Sequence, residues 1–427
     1  MATIPGISRN LLLLTIDAWR ADFVDRRFDV ELTPTLAGLA SQTLRFDRAY
    51  TTGPWTSPGI LSLFTGETAL GHGVAYEWSQ PRPGRLALPA RLAEAGYRVP
   101  NLCYLNRVGN YQHLGYDAAG SPGYPQGPDD DLLLRALQGL AAPTSAAPWF
   151  AWYHYKYVHL PYWPAPTYRR MFGIDDQALP ARLRDSVGKL FVVPRGEHVL
   201  LPDDREAVQR LYAASVRQMD DFLARVQASL ADSGQLANTT IVITADHGDE
   251  LLEHGHVGHA STAHYATLYE ELLRIPLLII DPRIREPRRS QGRVWLADLL
   301  PTLLGMAGVS GSGVPAAAQD LSPLFFASLG DGDFAARDRE LLQATDRRRL
   351  VFHSSRRGYQ TPRSQEAQYV LAFSDGNTKY IYENYDAPRQ LLFDLQTDPD
   401  ELAPLTAGPA VEAAHAELRT LCPDVLR

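Results

Sequence analysis

Apolar runs separated by amphipathic stretches organise the first three quarters of the chain. Such runs occupy residues 11–16, 150–155, 239–245 and 277–280, and none of them contains Asp, Glu, Lys or Arg. They are too short to span a membrane, and they are typical of strands buried on both faces of a parallel sheet. The stretch at 205–230 has the spacing of an amphipathic helix. The alternation predicts an α/β fold with a large, mostly parallel central sheet flanked by helices.

Two of these runs end in side chains that can bind a metal ion. Asp17 directly follows the first run, and Asp246 and His247 directly follow the run at 239–245. Functional groups gather at the carboxyl ends of strands in open α/β sheets, so we expect the three side chains to lie together. Carboxylate oxygen combined with imidazole nitrogen favours zinc or manganese over calcium or magnesium. The pattern predicts one divalent metal ion at this edge.

A turn that leads into a helix, at residues 54–66, carries a hydroxyl near its start. It reads Pro-Trp-Thr-Ser-Pro-Gly-Ile-Leu-Ser-Leu-Phe-Thr-Gly, with Thr56 ahead of Pro58 and Gly59. Proline fixes φ in the first helical turn, and glycine relieves crowding there. The free amides of a helix N-terminus favour anions, so Thr56 would face an anionic substrate or would simply cap the helix.

This segment resembles the active-site motif of sulfatases, which belong to the alkaline phosphatase superfamily. In the family motif a cysteine precedes a proline, a small residue and an arginine, and the cysteine is oxidised to formylglycine. Thr56 holds the cysteine position here, and Ile60 holds the arginine position. The formylglycine hydrate expels sulfate by collapsing to the aldehyde, an exit that threonine lacks. A second nucleophile must attack the group on Thr56, which favours phosphorus esters over sulfate esters.

The similarity to sulfatases extends along nearly the whole chain, in segments that keep the family order. They are residues 32–40, 46–50, 212–221, 268–277, 379–382 and 392–399. The resemblance implies an alkaline-phosphatase-like sandwich in which one ion is bound by Asp17, Thr56, Asp246 and His247. Ala18 and His247 stand where formylglycine sulfatases usually have an acid and an asparagine. The site is therefore more similar to phosphonate monoester hydrolases and to phosphoethanolamine transferases that attack with threonine.

Three residues around the second apolar run are candidates for substrate binding. His154, Lys156 and His159 lie within or just after residues 150–155. By the resemblance, His159 matches a sulfatase histidine that precedes Pro-Tyr at the pocket. Lys156 adds a cation of the kind that holds an anionic group.

A histidine-rich loop follows the Asp246-His247 pair. His264 resembles the histidine or lysine that relatives place ahead of their Tyr-Glu segment, so we expect it to protonate the leaving group. His259 is expected to contact the substrate. The loop could instead bind a second metal ion, as in phosphodiesterases with two zinc ions, through Asp249 and these two histidines.

Composition limits the partners. The net charge of −8 does not support nucleic acid binding by bulk electrostatics. Cys103 and Cys422 are too few for a disulfide framework or a thiolate metal site. The N-terminal residues lack the pattern of a secretory signal, so we expect a cytoplasmic location and no membrane partner. The expected partner is a small anionic ester, and the oligomeric state stays open.

The chain divides at a segment rich in Gly, Ser, Pro and Ala, residues 305–332. Residues 1–310 are predicted to form the catalytic α/β domain. Within it, residues 161–204 lack a clean period and predict an insertion near the active-site mouth. By the resemblance, residues 333–427 form a small α+β subdomain with an antiparallel sheet.

These observations predict a metal-dependent hydrolase of phosphodiesters, or of phosphonate or phosphate monoesters, with Thr56 as the nucleophile. Transfer of the phospho group to an alcohol and hydrolysis of sulfate esters without formylglycine are alternatives. A further alternative is a noncatalytic chain that binds an anionic ligand or a partner. The missing arginine at Ile60 and the missing acid at Ala18 motivate that alternative, whereas the grouped metal ligands argue against it.

Overall fold

The computed structural model describes most of the chain between residues 9 and 426. It leaves out residues 76–78, 83, 85–86, 108–110, 112–113, 117–121, 125–126, 128–130, 141–146, 192, 194–199, 260–265, 347, 356–367 and 386 within that span.

The described residues contain the following strands and helices. The strands are β1 (Asn10–Ile16), β2 (Arg26–Arg27), β3 (Val30–Glu31), β4 (Thr43–Tyr50), β5 (Phe150–Tyr155), β6 (Thr239–Ala245), β7 (Glu250–Leu251), β8 (Val257–Gly258), β9 (Arg274–Ile280), β10 (Arg288–Trp295), β11 (Leu350–Ser355), β12 (Tyr369–Ser374), β13 (Thr378–Asn384) and β14 (Arg389–Asp394). The helices are α1 (Pro34–Gly38), α2 (Thr56–Thr65), α3 (Ala69–His72), α4 (Leu88–Glu94), α5 (Leu132–Leu140), α6 (Pro166–Met171), α7 (Ala181–Asp185), α8 (Arg205–Asp232), α9 (Glu270–Leu273), α10 (Leu299–Met306), α11 (Ser322–Ser328), α12 (Phe334–Asp346) and α13 (Pro409–Leu421).

A six-stranded sheet lies at the centre of the fold, in the spatial order β10-β4-β9-β6-β1-β5. β1 pairs in parallel with both β5 and β6, and β10 pairs in parallel with β4. β9 runs antiparallel to β4 and β6. The predicted mostly parallel sheet is confirmed, with one antiparallel strand inside it.

The pairing register brings the carboxyl ends of β1 and β6 side by side. Ile16 pairs with Ala245 of β6 and with Tyr155 of β5. All residues of β1 and β6 are buried, as expected for strands covered on both faces. The residues that follow, Asp17 and Asp246, therefore leave the sheet at the same edge.

The long helix α8 packs beside the edge strand β5. Its Phe222 ring stacks on Tyr153 and Tyr155 with 5.7 and 4.7 Å between ring centres. The hydroxyl of Tyr212, on the same helix, donates a 2.6 Å hydrogen bond to the carbonyl of Ala18. This bond fixes the turn after β1, where Ala18 has a φ of 61°. The helix predicted at residues 205–230 is confirmed, with two further residues at its C-terminal end.

Helix α2 is buried on every side. Residues 57–64 are all buried, and the helix ends at Gly66 with a φ of 72°. A Cβ atom on Gly59 would lie 2.3 Å from the carbonyl oxygen of Asp246. Glycine thus allows the first turn of α2 to touch the end of β6, which brings Thr56 to the edge that carries Asp17.

A second, antiparallel sheet follows in the order β11-β12-β13-β14. Helix α13 packs on one of its faces, where Leu371, Phe373 and Leu418 share a small core. The other face joins an apolar cluster that also contains Trp55 and Leu272 of the large unit. The predicted antiparallel C-terminal sheet is confirmed, and the boundaries at residues 310 and 333 stay predictions.

The predicted insertion at residues 161–204 contributes α6, which packs on α8, and α7. Its role at the active-site mouth stays a prediction. Across the described ranges, every helix is too short or too polar to cross a membrane.

Replacement of Gly59 by alanine tests the seating of α2. The new Cβ would meet a backbone carbonyl, which cannot rotate away as a side chain can. We expect Gly59→Ala to lower the free energy of unfolding by about 1–3 kcal/mol, measured by urea denaturation. Gly38→Ala in α1 is the matched control because nothing lies within 4 Å of its Cβ position. Equal effects of the two replacements would contradict the close contact between α2 and β6.

Candidate active site

Three side chains meet at the carboxyl ends of β1 and β6. One ligand atom from each of Asp17, Asp246 and His247 lies within 4.8 Å of the others. His247 Nε2 is 3.5 Å from Asp17 Oδ1 and 3.3 Å from Asp246 Oδ2. Both of these carboxylate oxygens are buried without a hydrogen-bond donor among the described residues. Buried acceptors without donors are costly, so this convergence fits a bound cation.

The remaining atoms of the three side chains are held in place. Asp246 Oδ1 accepts hydrogen bonds from the backbone N–H groups of Ala18 at 3.1 Å and His247 at 3.0 Å. His247 Nδ1 lies 2.7 Å from the carbonyl oxygen of Gly248. A carbonyl only accepts, so Nδ1 carries the proton and Nε2 keeps its lone pair for a metal ion.

Burial and neighbouring charges set the protonation of this group. Burial would raise the pKa of Asp17, but the surrounding histidines, His159 foremost, lower it below its ordinary value. Burial raises the pKa of Asp246 despite the adjacent His247. Burial also lowers the pKa of His247, against the attraction of Asp246. An ionised carboxylate beside a neutral imidazole is ready to bind a metal ion.

Thr56 stands at the first position of α2 with its hydroxyl beside this group. Its Oγ1 atom is 3.4 Å from His247 Nε2. The N-cap position belongs to Trp55, which is extended with φ −160° and ψ 170°. The hydroxyl of Thr56 is therefore available at the metal ligands and does not serve as the helix cap.

His154 lies behind the carboxylates. Its Nε2 atom is 3.3 Å from Asp17 Oδ2 and 4.0 Å from Asp246 Oδ2, and its ring is 1% exposed. Its Nδ1 atom is 2.8 Å from Thr15 Oγ1, and that oxygen accepts a bond from Trp152 Nε1 at 2.9 Å. Burial alone would lower the pKa of His154, but Asp17 raises it above its ordinary value. The ring thus contacts two predicted metal ligands, and its predicted contact with substrate stays a prediction.

Asp249 and His259 form a hydrogen-bonded pair next to the metal ligands. Asp249 Oδ1 is 2.7 Å from His259 Nδ1, and Asp249 Oδ2 accepts a 2.5 Å bond from the Tyr162 hydroxyl. The ring of His259 is centred 3.9 Å from that of His247 and 4.8 Å from that of His159. Burial raises the pKa of Asp249 to about 6. Burial, with His159 nearby, lowers the pKa of His259 well below its ordinary value, so this ring is neutral.

Asp249 and His259 are also two of the predicted ligands of a second metal ion. Ligand atoms of His247, Asp249 and His259 lie within 4.8 Å of one another. Two of these residues belong to the predicted second set. The third predicted member, His264, lies outside the described residues, as does its predicted role as acid.

Lys156 and His159 flank the site on the segment after β5. The Lys156 ammonium lies 3.3 Å from the ring centre of Tyr124, and burial lowers its pKa to about 8 although Asp17 opposes this shift. His159 Nδ1 donates to the carbonyl of Leu160 at 2.6 Å, which leaves Nε2 available. Both remain predicted substrate contacts.

Comparison with known proteins identifies the family. The sulfatase family model matches residues 9–309. The chain belongs to the sulfatase family. It is 24% identical over 493 residues to the multifunctional alkaline phosphatase superfamily protein PehA of Trinickia caryophylli, with 95% of this chain and 92% of that protein covered. It is 22% identical over 465 residues to an arylsulfatase of Clostridium perfringens, with 93% and 90% covered.

The fold comparison agrees. The crystal structure of the phosphonate monoester hydrolase of Agrobacterium radiobacter superimposes with a TM-score of 0.71 at 18% identity, covering 98% of this chain and 94% of that one. The predicted alkaline-phosphatase-like architecture is confirmed. This sulfatase-family protein is thus a hydrolytic enzyme of the alkaline phosphatase superfamily, whose members bind divalent metal ions.

Several supporting residues were missed by the sequence analysis of this sulfatase-family protein. Thr15 holds His154, Tyr162 holds Asp249, and the Tyr111 hydroxyl lies 3.0 Å from Ser57 Oγ, next to the nucleophile position. Thr15 was part of an apolar run, and Tyr111 lies in a segment without a motif. Only Tyr162 carried a signal, since it ends the motif that begins at His159.

Removal of one carboxylate tests the metal site. Asp246→Asn keeps the shape of the side chain but loses the charge that would bind the ion. We expect this variant, after dialysis against zinc or manganese and then against metal-free buffer, to retain one divalent ion fewer per chain than the wild type. Elemental analysis measures the ion count, with exposed Asp232→Asn as the control. An unchanged count in a folded Asp246→Asn chain would remove Asp246 from the site.

Proposed function

We propose that this sulfatase-family protein hydrolyses phosphorus esters, either phosphodiesters or phosphonate or phosphate monoesters, through a covalent intermediate on Thr56. The observation that carries the proposal is the 3.4 Å distance between Thr56 Oγ1 and His247 Nε2. It sets a hydroxyl at the start of a helix beside Asp17 and Asp246, where an anionic ester would meet both a cation and free amides. Threonine is an ordinary nucleophile for phosphorus.

The metal ion is part of the proposal. Asp17, Thr56, Asp246 and His247 would hold one divalent ion, and their oxygen and nitrogen donors favour zinc or manganese. Such an ion, when bound, stabilises charge on the substrate oxygens and lowers the pKa of a coordinated hydroxyl.

In the first chemical step, Thr56 Oγ1, having released its proton to solvent, forms a bond to phosphorus as the bond to the leaving oxygen breaks. The amides in the first turn of α2 orient the nonbridging oxygens. His159 Nε2 and the ammonium of Lys156 are suited to hold the anion, since neither is engaged by a carboxylate among the described residues. His264, the residue predicted from the resemblance, would supply the proton to the leaving oxygen.

In the second step, water attacks phosphorus, the bond to Thr56 breaks, and Thr56 Oγ1 leaves as the deprotonated oxygen that begins the next turnover. His259 is positioned to accept the proton of this water because its Nδ1 atom faces Asp249, which orients the ring. This arrangement leaves Nε2 as the basic atom, in the manner of a serine hydrolase triad. Tyr162 holds the other oxygen of Asp249 and so fixes the orientation of the pair.

The names of the relatives include both phosphonate monoester hydrolases and arylsulfatases. The chemistry of the nucleophile favours phosphorus for this chain. A sulfate on Thr56 could leave only by attack of water at sulfur, because threonine offers no collapse to an aldehyde.

Replacement of Thr56 tests the nucleophile. We expect Thr56→Ala to lower kcat/KM for an aryl phosphodiester or phosphonate monoester by about 10³-fold or more, and Thr56→Ser to retain turnover within about 10-fold. Thr65→Ala, at the other end of α2, is the control. Rates on aryl phosphodiester, phosphonate monoester, phosphate monoester and sulfate are compared side by side. Full turnover by Thr56→Ala would exclude the covalent route, and a sulfate ester as the fastest substrate would exclude the phosphorus preference.

Replacement of His259 tests the second step. We expect His259→Gln to keep a first rapid release of aryl alcohol, equal to one per active site, and to slow later turnover by about 10²- to 10⁴-fold. The covalent group then accumulates on Thr56 and is detected by intact mass. Asp249→Asn should act in the same direction, and the distant His415→Gln should not. Loss of the first release together with later turnover would assign His259 to the first step.

A further inference from the structure

A second group of ionisable side chains, one buried and two partly buried, lies where the central unit meets the C-terminal sheet. It contains Glu250 of β7, His254 in the following loop and Glu271 of α9. One ligand atom from each of these three side chains lies within 4.8 Å of the others. No residue of the candidate active site belongs to this group.

The geometry of His254 resembles that of a metal-binding histidine. Its Nδ1 atom is 2.6 Å from Glu271 Oε1, and its Nε2 atom is 3.2 Å from the carbonyl oxygen of Glu401. A carbonyl only accepts, so Nε2 carries a proton and Nδ1 faces the carboxylate. The ring lies flat on Tyr269, with 3.6 Å between ring centres. A backbone carbonyl that fixes one ring nitrogen is the usual support for a histidine that binds metal through the other.

The side chain of Glu250 is a second, independent indication that an ion binds here. Its side chain is 1% exposed, and its Oε2 atom accepts a 3.0 Å bond from Thr267. Its Oε1 atom has no hydrogen-bond partner within the part of the chain that the structure describes. A buried carboxylate oxygen without a donor is costly, and a cation bound to this oxygen would remove that cost.

The neighbouring cations are engaged by other acids. Lys379 Nζ is 3.2 Å from Glu270 and 3.0 Å from Glu401. Arg20 is 2.9 Å from Asp22 and 2.8 Å from Glu253. His254 is the basic side chain in direct contact with Glu271 among the described residues. Burial lowers the pKa of His254, but Glu271 raises it to about 9, so an ion bound at Nδ1 would displace a proton.

We infer that Glu250, His254 and Glu271 bind a second divalent metal ion, of the zinc class, which fastens β7 and α9 to the C-terminal segment at Glu401. Two carboxylates and one imidazole match the charge and the donor preference of zinc. Ligand atoms at zinc bond lengths of about 2.0–2.2 Å lie roughly 3.4 Å apart, so the contact between His254 and Glu271 opens by less than about 1 Å. Of the three proposed ligands, Glu271 borders a surface cavity of about 410 Å³. The inference does not depend on the reaction at Thr56.

The test separates the two sites by mutation. In the Asp246→Asn chain, which lacks the catalytic ion, we expect zinc dialysis to leave one ion per chain. Adding Glu250→Gln should reduce the count to zero, whereas adding Glu253→Gln, an acid held by Arg20, should leave it at one. Zinc at a hundredfold excess over its dissociation constant should raise the unfolding midpoint of Asp246→Asn by about 3 °C, and should not raise that of the double variant.

A folded Asp246→Asn chain without bound zinc would overturn the inference. So would an unchanged zinc count after Glu250→Gln. Because that replacement could impair folding, cobalt titration of the Asp246→Asn chain provides a second readout with the proposed ligands intact. Strong visible absorption from a four-coordinate ion with a nitrogen ligand supports the site, and weak absorption like that of the hydrated ion contradicts it.

Discussion

The parallel pairing of β1 with β6 is the constraint on which the site depends. It holds Asp17 and Asp246 at neighbouring strand ends, where each has a buried oxygen without a donor among the described residues. Two buried carboxylates would repel one another, and the backbone pairing of β1 with β6 holds them together. The other site elements attach to this pair. Gly59 lets α2, which carries Thr56, pack against the Asp246 carbonyl, and His247 continues the chain from the same strand.

The C-terminal sheet supports this centre from the side of Thr56. Trp55, immediately before Thr56, packs in the apolar cluster that includes Phe352 and Ile381 of that sheet. A shift of the sheet would therefore move the first turn of α2 and the hydroxyl that it carries. The buried charges around Lys379 and His254 lie along the same junction. The C-terminal sheet therefore helps to position the candidate active site, although it supplies none of the predicted metal ligands.

Local sequence patterns were sufficient for the strands and for the residues directly after them. The runs that precede Asp17 and Asp246 are apolar because both faces of the sheet are covered, and that property is visible in sequence. The partners of His154 and Asp249 could not be found in this way, because Thr15 and Tyr162 are brought to them by strand register and by an irregular segment. Such contacts depend on tertiary geometry and have no period. The proximity of Glu250, His254 and Glu271 could not be predicted from the sequence for the same reason.

Ile60 and Ala18, the two residues that depart from the sulfatase motif, each have a defined structural environment in this chain. Ile60 is fully buried within α2, and Ala18 donates its backbone N–H to Asp246 Oδ1 from a left-handed turn. A site that only binds an anion is expected to direct hydrogen-bond donors at its ligand. In this site, the acceptor oxygens of Asp17 and Asp246 lie close together instead. Each such oxygen without a partner costs about 1–3 kcal/mol on folding. The arrangement is therefore one that a cation completes, and an anionic ester would bind to that cation beside Thr56.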